Sequence, residues 1–313
     1  MGAGFNPVSL LDFKARVWHY TRMVKPWPSL TLPAPAKINL HLEVLGRRPD
    51  GYHNLRMVNV LLDLHDTVRL EIRPSGLRVI CRHPQVPNDH RNLAAKAAEL
   101  LLQQLPEPRP GVRISIRKRI PVAAGLGGGS SDAAATLRGL TRLLRLPLSE
   151  ARLCRLGLAV GADVPFFLFG RPALVQGIGE RLKPLPRIPD WTYLLVSPPF
   201  GVSTAWAYSR WRASLTKRPR LHIIKNFKKP GHLELSRWVR NDLEPAVLRR
   251  HPLVGEVKKV LASWGALAAV MSGSGPSVVG VFKNRRQASQ ASRDIRERFP
   301  ACRAVITRAW TAP

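Results

Sequence analysis

Apolar and polar residues alternate without a break from Lys37 to Val44. Ile38, Leu40, Leu42 and Val44 fall on one side, and Lys37, Asn39, His41 and Glu43 on the other. A period of two is the mark of a strand with one face in a core, so this segment is predicted to be a half-buried strand. Met57–Leu64, Val68–Ile72 and Leu77–Cys81 read as further strands, and Val112, Ile114 and Ile116 alternate with Arg113, Ser115 and Arg117 in another. After Asn92 the spacing turns helical. Asn92 is suited to cap an Ala/Leu-rich helix running to Leu105, where Pro106, Pro108 and Pro110 stop it. Two more helices are predicted, Ser130 to Leu144 and Ser149 to Val160, and then a short apolar strand at Phe166–Phe169. In the second half strands are predicted at Trp191–Ser197, Ala266–Met271, Val278–Phe282 and Ala301–Ala309, with helices filling the gaps. Antiparallel-type strands with segregated helices argue for an α+β fold.

Length then sets the organisation. The chain has 313 residues, and at roughly 100–200 residues per domain it is expected to hold two. Pro184, Pro186 and Pro189 crowd one stretch and mark the boundary, giving domains 31–185 and 186–313. Residues 1–30 show no periodicity and are read as a leader, either disordered or the product of a start assigned too early, with Met23 as the later start. A hydrophobic fraction of 45% with 22% charged residues supports a sizeable core and excludes global disorder. No apolar run is long enough for a membrane span; the most apolar stretch, Leu156 to Gly170, is broken by Asp163 and Pro165. Cys81, Cys154 and Cys302 share no short spacing, which argues against a disulfide framework and a cysteine zinc site and fits the cytoplasm.

Charge widens the choice of ligand. Fifty Lys and Arg against twenty Asp and Glu give a net +30. Such a surface attracts polyanions, whether nucleic acid or a phosphorylated small molecule. Residues 216–230 carry Lys217, Arg218, Arg220, Lys225, Lys228 and Lys229 with no acid, and are expected to form an exposed loop.

The sharpest feature lies between a strand and an Ala-rich helix: Pro121, Val122, Ala123, Ala124, Gly125, Leu126, Gly127, Gly128, Gly129, Ser130 and Ser131. Its glycines let the backbone approach a ligand and adopt positive φ. The free N–H groups and dipole of the helix start favour an anion, and the serines add hydroxyl donors. The loop reads as a phosphate cradle; the plain alternative is a tight turn without a ligand. It is not a P-loop, because no Lys follows the glycines, and it is not G-x-G-x-x-G, because Ser130 stands where the last Gly would be. A second Ser/Gly loop, Met271 to Ser277, again joins two apolar strands.

Three segments occur in order: Pro33-Ala-Pro-Ala-Lys-Ile-Asn-Leu40, Gly125-Leu-Gly-Gly-Gly-Ser-Ser131 and Met271-Ser-Gly-Ser-Gly-Pro276. Together they resemble the three motifs of the GHMP kinases. Arg48-Pro-Asp-Gly-Tyr-His53, Gly161-Ala-Asp-Val-Pro-Phe-Phe167 and Gly201-Val-Ser-Thr204 resemble the branch that phosphorylates a cytidine-diphospho-methylerythritol in non-mevalonate isoprenoid synthesis. The resemblance spans residues 31–310. It implies an N-terminal domain like domain 2 of ribosomal protein S5, which binds ATP, and a ferredoxin-like C-terminal domain. The implied reaction moves the γ-phosphoryl of ATP to a tertiary hydroxyl of the cytidine substrate.

Roles follow from the same resemblance. Asp163 would be the base, and Lys37 would lower the pKa of the hydroxyl and keep Asp163 ionised. Asn39, two residues on from Lys37, would hydrogen-bond the substrate. Tyr52 would stack on cytosine, His53 would read its polar edge, and Tyr208 would close the second face. Residues 121–131, with Asn92 and Lys118, would hold ATP. Mg²⁺ is expected with ATP, its ligands unassigned. A monomer or a homodimer is expected. Two rivals stay open: another GHMP kinase acting on mevalonate, homoserine or a sugar, which has no use for Asp50-Gly-Tyr-His53, and a basic nucleic-acid-binding protein, against which stands the absence of an RNA-binding motif.

Overall fold

The computed structural model describes residues 27–185, 188–211 and 235–311. The predicted leader up to residue 26, the basic stretch 216–230, and Pro186 at the proposed boundary lie outside the described residues. Contacts divide the chain into two compact units of interleaved segments. The first comprises residues up to Ala34, Asp66–Lys118 and Gly129–Leu168; the second comprises Pro35–His65, Arg119–Gly128 and Phe169 onward.

Along the chain the elements are β1 (Ser29–Arg47), β2 (His53–Arg73), β3 (Leu77–Cys81), α1 (Leu93–Leu102), β4 (Gly111–Arg117), α2 (Gly128–Leu143), α3 (Glu150–Val160) and α4 (Val164–Phe169). Then come β5 (Ala173–Gly177), β6 (Arg181–Pro184), β7 (Thr192–Ser197), α5 (Thr204–Ser209), α6 (Leu235–Trp238), β8 (Arg240–Asn241), α7 (Glu244–Arg250) and α8 (Pro252–Ser263). The last are β9 (Ala268–Met271), β10 (Val278–Phe282), α9 (Arg285–Arg298) and β11 (Arg303–Thr307).

Three expectations are corrected. The two strands predicted at 57–64 and 68–72 are one strand, because His65, Asp66 and Thr67 between them do not interrupt the extended backbone. Phe166–Phe169 is helical, not a strand. A short run of fully buried apolar residues has no period to separate the two forms, and Pro165 sits near the start of α4, where a helix tolerates it. β1 is buried on both faces: Lys37 is 4% exposed and Asn39 and His41 are 0% exposed, so its polar side faces protein, not solvent.

In the first unit β4 is central. It pairs antiparallel with the C-terminal part of β2, from Thr67↔Arg117 to Arg73↔Gly111, and parallel with β3, from Leu77↔Val112 to Cys81↔Ile116. Leu70, Ile72, Val112, Ile114 and Ile116 supply its buried side chains. Asn92 caps α1 as expected, accepting from the Ala94 N–H at 2.9 Å. Gly139 lets α2 press onto Leu32 and Leu70, whose side chains would collide with any Cβ there.

In the second unit the first half of β2 pairs antiparallel with β5, which pairs with β6, while β1 pairs parallel with the two-residue β8. A separate four-stranded antiparallel sheet runs β11-β7-β10-β9 with α8 and α9 packed on it, a ferredoxin-like arrangement. One apolar core joins Ile38, Leu40, Val58, Leu126, Tyr193, Trp238 and Val279.

Candidate active site

The second unit holds residues 35–40 of the first predicted motif, 125–128 of the second and the whole of the third. Lys37 Nζ donates to Asn39 Oδ1 at 2.6 Å, and Asn39 Nδ2 donates to Asn59 Oδ1 at 2.7 Å. The buried polar side of β1 therefore carries a short amide relay that fixes the lysine. The Lys37 N–H donates to the Leu126 carbonyl at 3.0 Å, tying β1 to the glycine loop. The Asn39 N–H donates to Ser272 Oγ at 3.2 Å, and that hydroxyl donates to the Gly125 carbonyl at 3.0 Å. Ser272 thus bridges the first motif to the second from inside the third.

Close approach explains the glycines. Gly125 has φ +75° and its missing Cβ would collide with the Ser272 carbonyl, so no other residue fits there. Gly127 at φ +71° and Ala123 at φ +53° are also left-handed. A Cβ on Gly201 would lie 3.1 Å from the Ala123 methyl, so the Gly201–Thr204 turn packs directly on the glycine loop. Thr204 and Ser274 hydroxyls hydrogen-bond at 3.0 Å, linking that turn to the third motif.

Sequence reasoning missed the residues that shape this site from behind. Asn241 Nδ2 donates to the carbonyls of Met271 and Gly273, both at 2.7 Å, and its Oδ1 accepts from Leu243 N–H at 2.9 Å. Glu244 accepts from the Met271 N–H at 2.6 Å and from Lys258 at 2.5 Å. Asn59 carried a signal, a lone amide within the apolar run Met57–Leu62; Asn241 carried none, since no periodicity surrounds it.

Tyr52 is 57% exposed beside a turn closed by Arg48 N–H to Tyr52 carbonyl at 2.8 Å. His53 stacks on Tyr208 with ring centroids 5.1 Å apart and meets the edge of Trp211 at 5.8 Å. Partial burial, and then the Arg47 charge, hold the His53 imidazole below the usual histidine range.

The first unit places the other predicted residues. Asp163 is half-buried in the short loop between α3 and α4. That loop runs beside the start of α2: a Cβ on Gly161 would lie 4.0 Å from Ser130 Oγ. Ser131 Oγ is buried with no hydrogen-bond partner among the described residues. Asn92 Nδ2 donates to the Pro87 carbonyl at 2.8 Å while its oxygen caps α1, so its amide is already committed at both ends. Lys118 Nζ is likewise committed, 2.5 Å from Asp66 Oδ2 and 2.7 Å from Asp132 Oδ2. Burial pushes the Asp132 carboxyl above the usual carboxylate range, against the attraction of Lys118.

Comparison with known proteins follows the same motifs. The family described as GHMP kinases N terminal domain matches residues 92–171, and GHMP kinases C terminal matches residues 223–301. The chain is 46% identical over 279 residues to the 4-diphosphocytidyl-2-C-methyl-D-erythritol kinase of Geobacter sulfurreducens, covering 89% of this chain and 99% of that one. It is 45% identical over 285 residues to the same-named kinase of a Synechococcus species, covering 86% and 90%. A crystal structure of 4-(cytidine 5'-diphospho)-2C-methyl-D-erythritol kinase superposes with a TM-score of 0.76 at 36% identity, over 90% of this chain and 100% of that one. A homoserine kinase from Cytophaga hutchinsonii, 20% identical with a TM-score of 0.72, shares the fold. With such identity along nearly the whole of its relatives and both domain families matched in order, the chain belongs to the GHMP kinases, in the family of 4-diphosphocytidyl-2-C-methyl-D-erythritol kinases.

Proposed function

We propose that this chain transfers the γ-phosphoryl of ATP to the 2-hydroxyl of 4-(cytidine 5'-diphospho)-2-C-methyl-D-erythritol, giving the 2-phosphate and ADP. The observation that carries the reading is the stitched arrangement of β1, the glycine loop and the Ser272 loop, held by the Asn39–Ser272–Gly125 hydrogen bonds. The turn with Tyr52 and the stack of His53 on Tyr208 favour a flat, base-containing substrate over mevalonate or homoserine. The division into a nucleotide-binding part, 31–185, and a C-terminal part, 186–313, belongs to the same reading, as does a cytoplasmic setting.

Phosphoryl transfer asks a protein for positioning, charge neutralisation and an acceptor for the hydroxyl proton. Backbone N–H groups of residues 122–131 and the dipole of α2 hold phosphate oxygens, and Ser131 Oγ, lacking a protein partner among the described residues, is available to donate. Asp163 takes the proton from the substrate hydroxyl. Lys37, its ammonium fixed by Asn39, stabilises the alkoxide as it forms. Tyr52, His53 and Tyr208 hold the cytosine and so place the hydroxyl. Among the described residues no three His, Cys, Asp or Glu side chains converge, so the protein offers no metal cage of its own there. A Mg²⁺ ion accompanying ATP would sit chiefly on phosphate oxygens and water, and would neutralise phosphate charge.

Turnover of ATP by the purified chain, assayed with the cytidine substrate, mevalonate, homoserine and galactose, tests the reading. Turnover only with the cytidine compound is expected; equal or faster turnover with a plain alcohol would transfer the assignment to another GHMP kinase.

A further inference from the structure

We propose that Asp66, Lys118 and Asp132 form a buried clamp that positions the two ends of the glycine loop for nucleotide phosphates. The proposal rests on reading that loop as the ATP cradle. All three residues lie in one unit of the fold. The side chains of Lys118, Asp66 and Asp132 are 5%, 0% and 3% exposed. Lys118 directly follows β4 at the entrance to the loop, and Asp132 lies in α2 at its exit. A single ammonium therefore joins the two ends across 14 residues of chain, while Asp66 anchors it to β2.

The loop between these ends has reason to need such a hold. Ala123, Gly125 and Gly127 are all left-handed, and for alanine that conformation is disfavoured. Local preference does not maintain this path; its middle is held by Lys37 N–H on the Leu126 carbonyl and Ser272 on the Gly125 carbonyl, and its ends need a hold of their own. The clamp is also a poor device for stability alone. Burying charge is costly, and buried ionic groups are often replaced by apolar ones at no loss. Here two carboxylates share one ammonium, and Asp132 Oδ1 is buried with no hydrogen-bond partner among the described residues. A cluster of this kind specifies geometry more than it stabilises. Lys118 acts through the loop, because its ammonium is spent on the two carboxylates and hidden from solvent; it is a positioning residue.

The test uses the full chain with Lys118→Met, Asp132→Asn and the double substitution. ATP affinity is measured directly by calorimetry, and KM for both substrates by turnover. Lys118→Met leaves two carboxylates opposed, so ATP affinity is expected to fall about tenfold or more, as misplacement of a positioned group does. KM for the cytidine substrate is expected to stay within about twofold, a split that a general loss of structure would not produce. Adding Asp132→Asn relieves the repulsion and is expected to recover part of the ATP affinity. Should Lys118→Met not fold, Asp132→Asn and Lys118→Arg decide by the same split: each keeps size or charge and makes a gentler single change in the cluster, and weaker ATP binding with an unmoved second KM is expected. Unchanged ATP affinity in folded variants, or equal weakening for both substrates, overturns the clamp while the kinase reading stands. A wild-type chain that binds no ATP overturns both.

Discussion

The buried Lys37 shows how one side chain is made ready for chemistry. On a solvated strand face its ammonium would wander; here Asn39, itself held by Asn59, fixes it. General-base catalysis is typically worth about 10²–10⁴-fold, so Asp163→Asn is expected to lower kcat by that order with little change in affinity for either substrate. Lys37→Met is expected to be similarly impaired, and the double variant less than additive because the two residues serve one step. Steady-state kinetics with direct binding measurements checks both, and near-normal turnover by Asp163→Asn would leave that residue a structural one. His53 gives a pH signature. Its pKa lies below the ordinary histidine value, through burial and then the Arg47 charge, so it protonates only at lower pH. kcat/KM for the cytidine substrate should therefore hold as pH falls through about 6.5 and decline below that. A His53→Asn variant should lack that decline. That Lys37 and Asn39 share one side of β1 was legible in the alternation, but their hydrogen bond and the burial of that polar side were not, because alternation gives a face and not what covers it.

Among the elements of the described residues, β8 is the smallest, yet it joins two of the motifs. Its two residues pair with β1, and Asn241 then holds the third motif through the Met271 and Gly273 carbonyls. An unsatisfied buried polar group costs about 1–3 kcal/mol, so Asn241→Ala, which strands two carbonyls and the Leu243 N–H, is expected to lower unfolding free energy by a few kcal/mol. Urea denaturation measures it, and a loss below ~0.5 kcal/mol would mean that water replaces the amide. The longer elements were readable because their periods repeat: β4, α1, α2 and α3 lie close to where alternation, helical spacing and caps put them. β8 and α4 were not readable. One is too short to show a period, and the other is buried on all sides and has none to show.

At the level of the whole molecule, the +30 charge is the one compositional fact that the fold does not use. Both proposed substrates are phosphorylated anions, and a positive surface raises their encounter rate and local concentration. Screening shortens that reach to about 8 Å at physiological ionic strength. Both KM values should therefore climb several-fold between low and physiological salt while kcat stays level. A kcat that falls in parallel would point instead to loss of structure. The order of the three motifs along the chain makes the family legible in the sequence, whereas the interleaving of the two compact units is not, since contacts between distant segments leave no trace in local pattern. The meeting of Ala123 with Gly201 has an evolutionary meaning of its own. A methyl on Gly201 would sit 3.1 Å from the Ala123 methyl, so one of the two would have to give by a few tenths of an ångström. Change at either site is thus conditional on the other: Gly201→Ala should be better tolerated once Ala123→Gly has made room, which ties together two positions far apart in the chain.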